Sequence, residues 1–132
     1  MRGFRSIVCV AVCLLAAPAL AERPPETEDD ATHIIVGEVE AVFTQDTREQ
    51  HNYVVKIVVD RVEKGDGVQA GDAFFVECFQ RKRNAPRIPA PYGHKAVPKV
   101  GETIRACVIR EGSRSEGVYK DWYKVVAVRA PN

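Results

Sequence analysis

The 132-residue chain lacks most of the features that announce a function. Its charge-free apolar run from Ile7 to Ala17 is too short for a bilayer-spanning helix, which takes about 20 residues, so no permanent membrane anchor is expected in the mature chain. Lipid attachment is not expected either. It needs a Cys placed directly after a small residue at the cleavage point, whereas Cys9 and Cys13 lie inside the apolar run and Val12 precedes Cys13. Histidine is confined to His33, His51 and His94. If the first two strands pair so that His51 lies opposite Thr44, His33 is roughly 36 Å away at about 3.3 Å per strand residue, and those two share no metal. Ser113 and Ser115 lack the flanking pattern of a nucleophile elbow. A Cys-His nucleophile pairing Cys78 or Cys107 with His94 can be drawn, but a thiol in an exported protein is more readily oxidised or buried than catalytic. The chain therefore reads as non-enzymatic, with neither cofactor nor metal. It has no internal repeat.

What is present begins with an export signal. Arg2 and Arg5 precede the apolar run, and Ala19 and Ala21 supply small residues at the cleavage positions. Residues 1–21 are thus predicted to be a signal peptide, and the mature chain to begin at Glu22 and remain in the periplasm or envelope or enter the medium. About 111 residues are left, enough for one small domain. That domain has seventeen basic and eighteen acidic residues, unevenly placed. Residues 22–80 hold fourteen acids against five bases, while residues 81–99 hold six bases and no acid.

Residues 22–30, ERPPETEDD, contain no apolar side chain to offset the entropy of ordering, so a flexible acidic leader is expected there. From residue 31 the pattern is that of strands. Ile35, Gly37, Val39, Ala41 and Phe43 alternate with Glu38 and Glu40, and Tyr53, Val55, Ile57 and Val59 alternate with Lys56 and Asp60. These two runs predict a long hairpin. AFFVECFQ and ETIRACVIR predict a third and a fourth strand, EGSRSEG a turn, and VYKDWYKVVAV a last strand whose alternation slips near Lys124 and Val125, the mark of a bulge. Five strands without a helix are too few for an immunoglobulin-type sandwich. They predict an all-β domain over residues 31–132, a barrel of the oligonucleotide/oligosaccharide-binding (OB) type, in which closure hides strand edges.

Short motifs agree with this order. Val36-Gly37-Glu38-Val39 matches a V-G-x-V element of the first strand, Lys64-Gly65 a K-G turn after the second, and Gly71-Asp72 a G-D pair opening the third. Across most of residues 31–128 the chain resembles bacterial exported domains related to the netrin and tissue-inhibitor-of-metalloproteinase (TIMP) OB fold. The resemblance implies a barrel that exposes loops to partners. Animal metalloproteinase inhibitors place a cysteine-containing mature N-terminus on the protease zinc. Here that end reads Glu22-Arg23-Pro24-Pro25 and the six-disulfide framework is absent, so no zinc-directed residue carries over.

The loop between the third and fourth strands, residues 81–99, is the most unusual segment. Four prolines bar regular structure, and Arg81, Lys82, Arg83, Arg87, Lys95 and Lys99 are interspersed with Tyr92 and His94. Loops beyond about 12 to 15 residues are often either functional or disordered. These eight residues form the candidate binding site, with cations for phosphate, sulfate or carboxylate groups and Tyr92 as a stacking surface. The expected role is that of an exported monomeric binding module for an acidic protein or cell-surface polyanion. Inhibition of an extracellular enzyme and a structural envelope role are the alternatives. Nucleic acid is not the expected partner. Phe75, Phe79, Trp122 and Tyr123 resemble a stacking platform, but Glu38, Glu40, Asp60 and Glu77 place acids on the same strands, and export removes the chain from cytoplasmic nucleic acid. Cys78 and Cys107 could form one disulfide. Strict alternation puts them on opposite faces, and a bulge in either strand would bring them together.

Overall fold

A computed structural model describes residues 22–86 and 90–130. The predicted signal peptide, residues 1–21, and Arg87 of the candidate site lie outside the described residues. Among the described residues six strands carry the fold: β1 (His33–Asp46), β2 (Gln50–Lys64), β3 (Ala73–Arg81), β4 (Glu102–Glu111), β5 (Arg114–Gly117) and β6 (Tyr123–Val128). No described helix is long and apolar enough to cross a membrane.

The strand order β1-β2-β3-β5-β4, closed by antiparallel pairing of β4 with β1, makes a five-stranded OB-like barrel. β6 follows β5 along the same edge of β4, so the two are halves of one interrupted strand. The expected turn around residues 111–117 is therefore partly a strand. Arg114–Gly117 is the piece that closes the barrel, meeting β3 in parallel at Glu77↔Glu116. Arg114 pairs with Glu77 at 3.0 Å and Arg23 with Glu116 at 3.2 Å, which offsets the like charge of the two adjacent glutamates. The slip expected near Val125 is present, since Thr103 faces Ala127 but Ile104 faces Val125, which leaves Val126 as the extra residue. The far edge of β6 carries exposed Val125, Val126 and Val128.

Inside the barrel Ile35, Val39, Val55, Ile57, Val76, Ile104 and Val108 are fully buried, each contributing about 1.5–3 kcal/mol on removal from water. Gly37 sits where β2 presses on β1, and a Cβ there would stand 2.2 Å from the Val58 carbonyl oxygen. The β1–β2 hairpin departs from simple alternation three times. The last departure leaves Glu40 as the extra residue of β1 and exchanges the faces beyond it. Val42 turns toward the core, and Phe43, expected inside, is 55 % exposed. At the turn end of the hairpin His51 faces Asp46 and not Thr44.

The bridge between Cys78 and Cys107 is not formed, and both are free, buried thiols. Neither β3 in its pairing with β2 nor β4 in its pairing with β1 carries the bulge that would place them on one face. β4 turns Ile104, Ala106 and Val108 inward, so Cys107 points with Arg105, whose guanidinium lies 3.9 Å from its sulfur.

The acidic leader, expected to be flexible, lies docked along the barrel. Glu26 exchanges two hydrogen bonds with the Tyr119 backbone: its amide donates to the Tyr119 carbonyl and its carboxylate accepts from the Tyr119 amide. Glu28–Asp30 forms a 3-10 turn closed by Thr27 and Asp30, and Arg105 holds both Glu28, at 2.5 Å, and Glu63, at 3.2 Å. With no apolar side chain to bury, the leader is held by hydrogen bonds and ion pairs instead.

Candidate functional site

The 81–99 loop leaves the end of β3 and returns against it. Lys82 donates its amide to the Glu49 carbonyl at 2.8 Å, tying the outgoing limb to the β1–β2 turn. On the return, the Arg81 amide donates to the Tyr92 carbonyl and the His94 amide to the Phe79 carbonyl, so that Gln80 and Gly93 form a bridge. Gly93 has a φ of +104°, and a Cβ on it would stand 2.3 Å from the Phe79 oxygen. The return limb thus continues the sheet over a short stretch where prolines excluded a longer one.

His94 locks that limb. Its Nδ1 accepts from the Phe79 amide at 3.1 Å, which leaves Nε2–H to donate to the Gly117 carbonyl at 2.8 Å. The ring is 3 % exposed and packs edge-on against Phe79 and Tyr119. A second lock comes from the leader. Glu22 accepts from the Tyr92 amide at 3.0 Å and from the Tyr119 hydroxyl, and pairs with Lys120 at 3.0 Å. The Tyr119 oxygen itself accepts from the Gly93 amide. Burial alone would raise the Glu22 carboxyl, but the Tyr119 hydroxyl, the Tyr92 amide and the Lys120 ammonium together hold it below the usual carboxylate range. Burial and the same carboxylate push the Tyr119 phenol up.

This bracing shapes a concavity of about 640 Å³. It is lined by His51 and Tyr53 of β2, by residues 80–84 and by Tyr92 and His94 of the return limb. Of the sequence-predicted residues, Arg81, Lys82, Arg83, Tyr92 and His94 meet here. Arg81 donates to the Pro86 carbonyl. Lys82 lies 3.8 Å from Asp46, which also bonds His51 at 2.7 Å. Arg83 is exposed and has no ion pair with any other described residue. Tyr92 is 67 % exposed, with the Lys120 ammonium 5.9 Å from its ring centre. The lining thus offers three cationic side chains, no acid and two phenol rings.

Lys95 and Lys99 do not belong to it. Lys95 lies 3.9 Å from Asp121, and Lys99 sits in the turn before β4, its amide capped by Glu102. His94 has both nitrogens engaged within the protein, so its task here is to position the loop. Sequence reasoning missed Tyr53 and His51, which only the β2–β3 register, Tyr53↔Cys78 and His51↔Gln80, brings beside Arg81. Of the four aromatics resembling a stacking platform, Trp122 is buried with its Nε1–H donating to the Ala96 carbonyl, and Phe79 packs under Tyr119.

Comparison with protein-family models, with curated proteins and with solved structures returned no match to this chain.

Proposed function

We propose that this protein is an exported, non-enzymatic binding module that takes an anionic ligand into the cleft between β2 and the 81–99 loop. The observation that carries the reading is the convergence of Arg81, Lys82 and Arg83 with Tyr53 and Tyr92 around one concavity whose lining has no carboxylate. Charge-assisted hydrogen bonds from guanidinium and ammonium groups to carboxylate or phosphate are about twice as strong as neutral ones. The phenol rings add a surface on which a flat ligand can lie. Arg83, without an ion pair among the described residues, needs to break no internal contact to engage such a ligand.

Extracellular protease inhibition, one of the two alternative roles, draws less support. The Glu22 side chain is already engaged by Tyr92, Tyr119 and Lys120. The test is calorimetric titration with hexaglutamate, polyphosphate and an alternating uronate oligosaccharide at low and high salt. At least one should bind with an affinity that falls as salt rises and drops tenfold or more when Lys82 and Arg83 are both changed to Ser. Silence from all three probes, or indifference to that double change, would overturn the reading.

A further inference from the structure

A second concavity, about 710 Å³, lies on the opposite face of β2 and β3 from the basic cleft. In these strands Val55 and Val76 point into the barrel, so Asn52, Val54, Glu77 and Phe79 point out of it. His51, Tyr53 and Gln80 of the basic cleft fall on the inward side of the same register. The Glu40 bulge adds β1 to the outer face by turning Phe43 and Gln45 outward, beside Val54 and Asn52. Glu77 meets Glu116 of β5, and Phe43, Val54, Glu77 and Glu116 form one row across four strands. Gln45, Asn52 and Phe79 form the next row, about 6.6 Å along the strands.

Both carboxylates of the first row are neutralised. Arg114 donates to Glu77 at 3.0 and 3.2 Å, and Arg23 pairs with Glu116 at 3.2 Å. In contrast to the basic cleft, this face therefore presents no uncompensated charge to a ligand. The side-chain amides of Gln45, Gln50 and Asn52 each bring donors and an acceptor. Gln50 donates to Asn52 at 2.7 Å, which orients both groups and leaves the Asn52 nitrogen to donate and the Gln50 oxygen to accept. Phe43, 55 % exposed, sets an aromatic ring beside them. The face of such a ring is the negative side of its quadrupole and attracts C–H groups. Amides next to an aromatic face match a molecule with hydroxyls around its rim and C–H groups on its faces.

We infer that this outer groove is a second binding site, for an uncharged oligosaccharide with one sugar ring on Phe43 and its hydroxyls on Gln45, Gln50 and Asn52. The site is separate from the anionic-ligand cleft proposed above and does not depend on it. Its volume is within the range of about 300–1,000 Å³ usual for small-ligand sites.

The experiment follows the side-chain amide signals of the purified protein by nuclear magnetic resonance during titration with three uncharged probes: cellohexaose, the N-acetylglucosamine hexamer and an end-capped Gly-Ser hexapeptide. At least one of the sugars is expected to shift the signals of Gln45, Gln50 and Asn52 with a Kd below about 1 mM, and the peptide to leave them in place. Because no net charge is engaged, sugar affinity should stay within twofold between about 0.05 and 0.5 M salt. Phe43→Ser and Asn52→Ala, both at solvent-accessible positions, should each weaken it about fivefold, and unaltered thermal unfolding of each variant confirms that the fold is kept. No shift from either sugar, an equal shift from the peptide, or sugar binding indifferent to both substitutions overturns the inference. Sugar binding that falls steeply with salt overturns it as well. The anionic-ligand reading stands or falls separately, on its own charged probes and on Lys82 and Arg83.

Discussion

The Tyr119 hydroxyl donates to the Glu22 carboxylate across 97 positions of chain, and through the Gly93 and Tyr92 amides this one contact also grips the basic loop. Glu22→Gln should therefore loosen the loop more than the leader. The expected loss of stability is about 1 kcal/mol, the usual value of a partly exposed charge-assisted bond. In hydrogen exchange, the amides of Tyr92 and Gly93 should lose protection while those of Ile57 and Val76 keep theirs.

The same contact has a pH signature. Because Glu22 is held below its ordinary value of 4.5 in the folded protein, its contribution is fully present above that value and is lost as pH falls through the lower folded value. The wild type should thus lose loop protection below about pH 4.5, and the Glu22→Gln variant, already loosened, should show a flatter profile over the same range. Parallel profiles for the two proteins would contradict this linkage.

Burial and the nearby Glu116 carboxylate push the Cys78 thiol up to about 12, and burial also raises Cys107. Both should resist alkylation at pH 8 in the folded protein and react fully in denaturant, since the thiolate is the reactive form. The unreduced protein should have the mass of two free thiols. A deficit of two hydrogens in the monomer would show that the bridge forms.

His94→Leu keeps the bulk of the ring but leaves the Phe79 amide and the Gly117 carbonyl without the partners they now have. Each buried group left unpaired costs about 1–3 kcal/mol, so a loss of about 3 kcal/mol is expected in urea unfolding. A loss near zero would show that the ring is not what holds the limb to β3.

Arg83→Ser should lower affinity for an anionic probe about tenfold, whereas Lys95→Ser and Lys99→Ser should each leave it within twofold, because neither lysine lines the cleft. Equal losses from all three would mean that the whole loop acts as a diffuse charged patch.

Much of the barrel was legible in the sequence, because β1 to β4 each bury one face, and a period of two records that directly. What was not legible depends on neighbours. Nothing within Arg114-Ser115-Glu116-Gly117 resembles a strand, and it becomes one only where β3 and β4 converge on it. Phe43 fitted the apolar face of β1 by counting, but a single extra residue at Glu40 reverses the count. The site followed the same division. The arginines and lysines of the loop were conspicuous as a run, yet which of them share a cavity was settled by Gly93 and His94 turning the chain back along β3. His94 stands among those cations in the sequence, but its burial, with both ring nitrogens bonded to backbone, is a property of the folded barrel.

The closing strand β5 and the Glu22 contact impose an order in time. The barrel cannot close until residues 114–117 are available to lie between β3 and β4, and the leader cannot lock until Tyr119 follows them. A chain emerging amino end first therefore presents the β1–β2 hairpin, with its long aliphatic run, well before the parts that shield it exist. Folds dominated by such distant pairings complete slowly, on the order of milliseconds to seconds. During that interval, in whatever compartment receives the chain, the unshielded hairpin is the species exposed to proteases and to aggregation.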